Sequence, residues 1–515
     1  MKKAWKRMFV LLLVACMLLS GCSSGGNDEA NDGESDGPRD TIVVAQNADP
    51  TTLDPYGTTD SPAIRVTKQI FEGLVTRDDE GNVIPALAES WEVVDDCTYI
   101  FHIRQGVKFH NGEELTADDV AFSFSKIGES PHASSLRASI DFENSRAIDT
   151  YTYEMKLTEP FGPILNHLCH GVMAIVNEKA YTEAGDNVGQ APVGTGPYKF
   201  VSWTTGDRID LVANEDYWGG APKTPNVVFR CIPEIASRSI EVETGGVDVA
   251  INIQASELDR LESNPDVTVF RKEANTVNFI CFTCNKAPMD DVRVRQAIDL
   301  AINKQAILEV VYQNTGIIAS GPMSPSTWAF NTDLPEHAYD PEAAKELLAE
   351  AGYPDGFDIT ITANEDQVRL DICEMVQAQL GQIGINVEIV TLEWGAFLEE
   401  VYMGGLDMFT LGWTADTGDP DYALYPSFHS SMHGEGGNMS LYSNEEVDRL
   451  LDMGRTSTDP EEREAAYMEA QEIIWEEVPC VFLQVPEDLI AYNSKLQGFG
   501  MTVDSQLKLK DFYYE

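Results

Sequence analysis

Basic residues are scarce in this sequence, in which 35 Lys and Arg stand against 85 Asp and Glu, a formal net charge of −50. Proteins that bind nucleic acids gain much of their affinity from basic side chains on phosphates, so this balance argues strongly against nucleic acid as a partner. It also argues against docking on anionic lipid through a basic face. The length of 515 residues predicts two or three domains, and a hydrophobic content of 43% is enough to build their cores.

Long apolar runs are also missing, apart from residues 8–19, which follow four basic residues within the first seven. A membrane span needs about twenty residues, so this run of twelve suits a signal peptide better. It ends in Leu19-Ser20-Gly21-Cys22, which resembles a bacterial lipobox. We therefore expect residues 1–21 to be a lipoprotein signal peptide and Cys22 to carry lipid that anchors the chain to the outer face of the cell membrane. An ordinary signal peptide with a coincidental cysteine is the alternative.

The segment that follows, residues 22–40, has no aliphatic side chain larger than alanine and is predicted to be a flexible acidic tether. Without the four basic residues of the signal peptide, 31 basic residues remain against 85 acidic ones, a net charge of −54. The body of the protein is therefore expected to be exported, tethered and strongly acidic.

Cysteines are few and widely spaced. Of nine, Cys16 leaves with the signal peptide and Cys22 is lipidated, and the remaining seven form no disulfide framework. Cys281 and Cys284 make a C-x-x-C pair inside a strand pattern. A zinc site would require a second such pair, and thioredoxin-like chemistry would require a helix N-terminus at this point. We predict buried or half-buried thiols here.

Catalytic and metal-binding motifs are absent. The sequence contains no G-x-S-x-G, no H-E-x-x-H and no Walker loop. His167 and His170 have no carboxylate nearby in sequence, and His429 and His433 lie in a Ser/Gly-rich stretch without helical period. We therefore predict no metal, no cofactor and no enzymatic activity, and the role of the second histidine pair stays open.

Strand-like and helix-like patterns alternate along the body. The clearest unit spans residues 358–390, where a short β pattern, an amphipathic helix and a second β pattern follow one another. A strand–helix–strand unit of about 33 residues predicts a βαβ unit, a parallel sheet and an α/β fold class. Asp340-Pro341 and Asp459-Pro460 each predict the start of a helix.

Ligands of open α/β sheets bind beyond the carboxyl ends of the strands. Trp394 follows one such strand, and Trp413 and Asp416 end another, predicted over residues 408–413, so we expect the ends of the two strands to be adjacent. Tryptophan supplies an apolar wall with one donor, and an aspartate beside it suits a ligand ammonium group. The alternative is that both indoles pack in the core and that Asp416 is a turn residue. The pattern alone supports both interpretations equally.

Several blocks of sequence together resemble a known family. The most specific tract contains PALAESW (85–91), YIFHIR (99–104), GVKFHNG (106–112) and TADDV (116–120), and GTGPY (194–198), YWGG (217–220) and DVRVRQAI (291–298) follow. Over nearly the whole mature chain the sequence resembles the family 5 extracellular solute-binding proteins of bacterial ABC importers, of the dipeptide- and oligopeptide-binding lipoprotein type.

The resemblance implies a type II periplasmic-binding-protein fold with two main lobes and an extra lobe. Lobe I would comprise residues 41–85, 195–285 and 491–515, lobe II residues 86–194, and lobe III residues 286–490. A peptide would be enclosed between lobes I and III by hinge closure and passed to ABC permease subunits in the membrane. The receptor is expected to act as a monomer.

The resemblance also implies a set of ligand-binding residues. Asp416 would hold the α-ammonium group of the peptide, and the backbone of Gly412 and Thr414 would pair with the peptide as with an added strand. Trp394 and Trp413 would line the side-chain pocket.

Two positions depart from the family pattern. Oligopeptide binders can carry an arginine where this chain has Thr410. Arg369 lies one residue away from the arginine that binds the carboxylate in dipeptide binders, and a solvated helix charge is the alternative for it. The same fold also serves nickel chelates, haem, glutathione and oligosaccharides, and a secreted hydrolase is a further, weaker alternative.

Overall fold

The computed structural model of the protein describes residues 39–434 and 437–515. The predicted signal peptide, the lipidation site Cys22 and residues 22–38 of the predicted tether lie outside this part. Within it, no helix combines the length and the apolar character needed to cross a membrane.

The described chain alternates strands and helices. The strands are β1 Thr41–Gln46, β2 Val75–Arg77, β3 Val83–Pro85, β4 Ala88–Asp95, β5 Thr98–Ile103, β6 Arg146–Asp149, β7 Thr152–Lys156, β8 Tyr198–Thr204, β9 Arg208–Ala213, β10 Asn226–Cys231, β11 Val249–Ile251, β12 Val267–Glu273, β13 Thr276–Phe282, β14 Ile317–Ile318, β15 Asp358–Asn364, β16 Asn386–Leu392, β17 Met408–Thr414, β18 Cys480–Val485 and β19 Glu487–Asn493. The helices are α1 Ser61–Ile70, α2 Ala117–Glu129, α3 Ile164–His167, α4 Glu178–Ala184, α5 Ile235–Thr244, α6 Leu258–Glu262, α7 Val292–Ala301, α8 Lys304–Val310, α9 Pro341–Glu350, α10 Gln367–Gly381, α11 Trp394–Tyr402, α12 Pro420–Phe428, α13 Glu445–Thr456 and α14 Pro460–Glu477.

The first large sheet has seven strands in the order β12-β19-β11-β1-β10-β9-β8. Its central strand β1 runs parallel to both neighbours, β10 and β11. Alternate residues of β1, among them Ile42 and Val44, are fully buried, as expected for a strand covered on its faces. A separate sheet of four strands, in the order β4-β5-β7-β6, is built from the tract between β1 and β8.

The second large sheet has six strands in the order β14-β18-β13-β17-β15-β16. Strands β15 and β16 pair in parallel along their whole length, with Ile359 opposite Val387, and α10 connects them. The predicted βαβ unit and the α/β class are therefore confirmed. The expectation that the strands before Trp394 and Trp413 are adjacent is wrong, because β15 lies between β16 and β17.

The chain crosses between the two large sheets at two neighbouring places. One connection runs from β12 to β13 and the other from β18 to β19. The two connections touch, since Ala274 N donates to Pro486 O at 2.8 Å. Both predicted ends of lobe III, residues 286 and 490, need a correction. β13 already belongs to the six-stranded sheet from Thr276 onward, and β19 already belongs to the seven-stranded sheet from Glu487 onward. The other lobe boundaries stay predictions.

Local helix signals behave as expected. Asp340 accepts hydrogen bonds from Glu342 N and Ala343 N at the start of α9, and Asp459 accepts one from Glu461 N at the start of α14. In both helices proline occupies the first turn, where its missing N–H costs no hydrogen bond.

Candidate ligand-binding site

Strand β17 has an edge that its neighbour covers only in part. It pairs with β13 at all seven residues, from Met408 to Thr414, but with β15 only at Met408 and Phe409. Among the described strands, residues 410–414 therefore have a partner on one side only. Gly412 and Thr414 are half-buried on this segment. Unpaired backbone N–H and C=O groups on such an edge can accept a further strand.

A side chain at Gly412 would crowd Asn278 of β13. A Cβ atom at this position would lie 2.5 Å from the side-chain oxygen of Asn278. Thr414 is held from the same side, because its hydroxyl lies 2.8 Å from that of Thr276. The β13 side of this segment is therefore closed, and only its β15 side can accept a ligand backbone.

Asp416 lies two residues beyond β17, in a turn that contacts the two-stranded sheet formed by β2 and β3. Arg77 of β2 donates from Nη2 to Asp416 O at 2.6 Å, and Gly418 N donates to Ala415 O at 3.1 Å. Gly418 has φ +63°, and a Cβ there would lie 2.7 Å from Arg77 Nη1. Asp416 is thus a turn residue, as the alternative interpretation proposed, but its side chain is not consumed by the turn.

The Asp416 carboxylate accepts no hydrogen bond from the described residues, and its side chain is 20% exposed. The basic nitrogen closest to it in this part of the chain is His170 Nε2, at 3.7 Å. His170 Nδ1 accepts a hydrogen bond from Val172 N at 3.1 Å, which assigns the proton of the neutral ring to Nε2. Burial lowers the pKa of His170, although the nearby Asp416 partly offsets this. The neutral ring therefore adds no positive charge beside the Asp416 carboxylate.

The indole N–H of Trp413 already donates a hydrogen bond within the protein. Its Nε1 donates to Tyr422 O at 2.8 Å, and the two ring centroids are 5.5 Å apart. The indole is half-buried and can offer a ligand a ring face but not a hydrogen bond. This combines features of both sequence interpretations, since the indole contacts core residues and still has exposed surface.

Trp394 lies on a helix and not at the end of a strand. It is the first residue of α11, which Glu393 caps by accepting hydrogen bonds from Gly395 N and Ala396 N. The indole stacks on Phe397, with 6.0 Å between centroids, and the guanidinium of Arg369 lies 5.4 Å from its centre. Trp394 and Arg369 therefore form one half-buried unit.

Arg369 of α10 is half-buried, and its side chain contacts the end of β15. Its Nη1 donates to Asn364 Oδ1 at 2.8 Å at the end of β15, and no described carboxylate forms an ion pair with it. Burial lowers the pKa of Arg369, and the nearby charge of Asp366 partly offsets this. A half-buried arginine without a carboxylate can bind one supplied by a ligand.

Two contributors to the site had no sequence signal. The sequence pattern offers His170 only as a possible metal ligand and gives no reason to select Arg77. Both also line a cavity of about 260 Å³ together with Lys68, Trp218 and Asp504. None of the predicted ligand-binding residues lines this cavity. Only a structure can place these residues near Asp416, because more than 200 residues separate them from it.

The histidines that raised the question of a metal do not converge. His429 Nδ1 lies 2.7 Å from Ser431 Oγ, and His433 Nε2 lies 2.9 Å from Tyr442 O. The described residues contain no group of three or more His, Cys, Asp or Glu side chains that could hold a metal ion.

Comparison of the chain with known proteins identifies its family. The description "Bacterial extracellular solute-binding proteins, family 5 Middle" matches residues 82–434. The chain belongs to this family. Its members are receptors for transport, so the protein is an extracytoplasmic solute-binding protein of an ABC importer and not an enzyme. The resemblance noted in the sequence and the type II periplasmic-binding-protein fold are both confirmed.

The relatives of this solute-binding protein differ in their ligands. Heme-binding protein A of Haemophilus influenzae is 31% identical over 524 residues, covering 95% of each chain. Glutathione-binding protein GsiB of Escherichia coli is 30% identical over 512 residues, covering 98% of this chain and 97% of its own. The structure of the periplasmic binding protein DppA from Helicobacter pylori with the peptide STSA has a TM-score of 0.87 and 31% identity, covering 92% of this chain and 98% of its own.

Proposed function

We propose that this solute-binding protein captures peptides with a free N-terminal amine between its two large sheets and delivers them to an ABC importer. The observation that carries the proposal is Asp416, a carboxylate that accepts no hydrogen bond from the described residues and is 20% exposed, at the end of an open strand edge. An ammonium group placed there would donate charge-assisted hydrogen bonds to it, which are stronger than neutral ones.

The open edge of β17 supports a peptide over other amines. Residues 412–414 are half-buried and can pair with an extended backbone, and the chain direction of β17 leads from this edge to Asp416. Pairing through main-chain groups binds peptides of many sequences, because it does not depend on the ligand side chains.

Arg369 and Trp394 supply the chemistry for the rest of such a ligand. Arg369 is half-buried and forms no ion pair in the described chain, so it can bind a C-terminal or side-chain carboxylate. The indole of Trp394 beside it provides an apolar wall. The solved structure of DppA, which shares the fold, is a complex with the peptide STSA.

A panel of ligands tests the proposal. Thermal shift and tryptophan fluorescence of the protein would be measured with di- to pentapeptides, their N-acetylated forms, oxidised and reduced glutathione, haem and a nickel chelate. A ligand that binds only the folded state raises the melting temperature by mass action. We expect shifts with free peptides and none with the acetylated forms. Equal shifts for both forms, or a shift with haem or nickel alone, would reassign the ligand.

We further propose that the receptor is a monomer held at the outer face of the cell membrane by lipid on Cys22. Cell fractionation tests the anchor: the wild-type chain should remain with membranes, and Cys22→Ser should appear in the extracytoplasmic fluid. Light scattering of the purified Cys22→Ser protein should give the mass of one chain. Release of the wild-type protein without detergent would contradict the anchor.

A further inference from the structure

Cys281 and Cys480 lie opposite each other on neighbouring strands of the six-stranded sheet. They are register partners in the antiparallel pair β13–β18, and their sulfur atoms are 3.3 Å apart. Both are thiols in the structure, with exposures of 2% and 4%, and both side chains belong to the same hydrophobic core.

The ladder geometry at this pair suits a covalent bond. Phe282 N donates to Pro479 O at 3.2 Å, so the adjacent pair, Cys281 and Cys480, is a non-hydrogen-bonded one. In antiparallel sheets, the Cα atoms of such pairs are about 4.5 Å apart. Disulfides span Cα separations of about 4.4–6.8 Å, so no movement of the backbone is required.

We propose that Cys281 and Cys480 form a disulfide bond in the exported protein. The two S–H bonds break and one S–S bond forms by exchange with an oxidised dithiol of the extracytoplasmic compartment. That partner accepts the two electrons and both protons and leaves as two thiols. Exported proteins fold where such oxidants persist, whereas cytosolic proteins are kept reduced.

The bond forms while the sheet assembles. Burial raises the pKa of the Cys281 thiol well above its usual range, so the reactive thiolate is disfavoured once the core has closed. Exchange therefore takes place before β18 has docked fully against β13. In the folded protein the same burial shields the disulfide from reductants.

The link joins the two strands that carry the crossings between the large sheets. β13 continues from β12, and β18 leads into β19. The Cys281–Cys480 bond would lie at one end of the β13–β18 ladder, and Ala274 and Pro486 lie at its other end, where the chain crosses between the sheets. The bond would therefore make β13 and β18, each of which leads into one crossing, move as one unit.

Counting thiols in the mature protein secreted by its own export pathway tests the proposal. Besides Cys22 the mature chain has seven cysteines. In denaturant without reductant, we expect five of these to react with a thiol reagent, and a non-reduced digest should contain one peptide pair joined through residues 281 and 480, two hydrogens lighter than the free peptides. Seven reactive thiols, or a link between Cys281 and Cys284, would overturn the proposal.

Matched variants separate the bond from burial. Cys480→Ala should show six reactive thiols and no link, whereas Cys373→Ala, which removes a buried thiol elsewhere in the fold, should show four and keep the link. Reductant under partly denaturing conditions should lower the melting temperature of the wild type and of Cys373→Ala but not that of Cys480→Ala. If Cys480→Ala does not fold, the wild-type thiol count still decides. An equal response of the wild type and Cys480→Ala would contradict the bond.

Discussion

Asp416 Oδ2 lies 3.7 Å from His170 Nε2, although the two residues are far apart in sequence. Asp416 follows β17 of the six-stranded sheet, whereas His170 lies between β7 and β8. The histidine is buried and its pKa is lowered mainly by that burial, so it presents a neutral N–H to the carboxylate. The ring therefore adds no positive charge beside Asp416. This relationship makes Asp416 the best candidate in the cleft for a ligand ammonium group.

Asp416→Asn should weaken the binding of a free peptide by about 30-fold or more, since loss of one partner of a shielded charge pair costs about 2 kcal/mol or more. Isothermal titration calorimetry with the best peptide of the panel measures this. Asp333→Asn removes the same charge from an exposed site and should bind as the wild type does. Equal affinity of the two variants would remove Asp416 from the site.

Arg369→Gln should affect only ligands with a free carboxylate. We expect about a tenfold loss, ~1.4 kcal/mol, for a peptide acid and no change for the same peptide amidated at its C-terminus. Competition binding with the two peptides gives the comparison, and Arg449→Gln, at an exposed position, is the control. A similar loss for both peptides would assign Arg369 a structural role.

If the ligand pairs with the β17 edge as an added strand, N-methylation of its backbone amides should reduce affinity at every second position. Successive residues of an extended strand point their N–H groups to opposite sides. N-methylation of a peptide amide that faces residues 410–414 should reduce affinity about tenfold, in line with a lost hydrogen bond of roughly 1 kcal/mol plus steric clash. N-methylation of the neighbouring amide should have little effect. A scan with uniform losses, or with none, would argue against strand addition.

His110 should make stability depend on pH in mild acid. Its Nε2 donates to Gly196 O at 2.9 Å, and burial lowers its pKa from 6.5 to about 4. Between these values the unfolded chain binds more protons than the folded one, so the free energy of unfolding is highest above pH 6.5 and falls toward pH 4, by about 3 kcal/mol. Urea unfolding of His110→Gln across this range should show a shallower slope, and His102→Gln, on an exposed histidine, should keep the wild-type slope. A wild-type slope in His110→Gln would contradict the assignment.

The ion pair of Asp421 with Arg455 should be costly to break. Arg455 donates two hydrogen bonds to the carboxylate at 2.9 and 2.8 Å, and both side chains are buried. Burial alone would raise the pKa of Asp421, but Arg455 and His167 outweigh it and hold the pKa well below its usual range. Asp421→Asn leaves a buried guanidinium unpaired, which costs about 3–5 kcal/mol.

Urea unfolding at neutral pH measures this loss. Glu446→Gln breaks an exposed pair with Arg449 and should leave the unfolding curve unchanged. A change in Asp421→Asn no larger than in Glu446→Gln would show that the buried pair adds nothing to stability. Asp421 also contacts His167 of α3, whose Nε2 lies 3.1 Å from Asp421 Oδ2. This contact joins α3 to α12.

Local features were readable from the sequence. The helix starts at Asp340 and Asp459 depend on one side chain and the backbone amides next to it, and the βαβ unit depends on the period of its apolar residues. The motif blocks, of which the tract from residue 85 to 120 is the most specific, predicted the family, and the βαβ unit predicted the α/β fold class. These inferences need only neighbours in the chain, which is why they hold.

Tertiary structure alone decided which distant segments meet. The position of β15 between β16 and β17 separates the end of β16, next to Trp394, from the strand end that carries Trp413. Because β15 pairs with β17 only at Met408 and Phe409, residues 410–414 of β17 have a strand partner on one side only. Register places Cys480 opposite Cys281, and packing brings His170 to Asp416. Strand order and register follow from how whole faces are buried, and no local pattern encodes them. The sequence by itself determined that this chain is a solute receptor, whereas the fold decided which strand edge is paired on one side only and which carboxylate lies beside it.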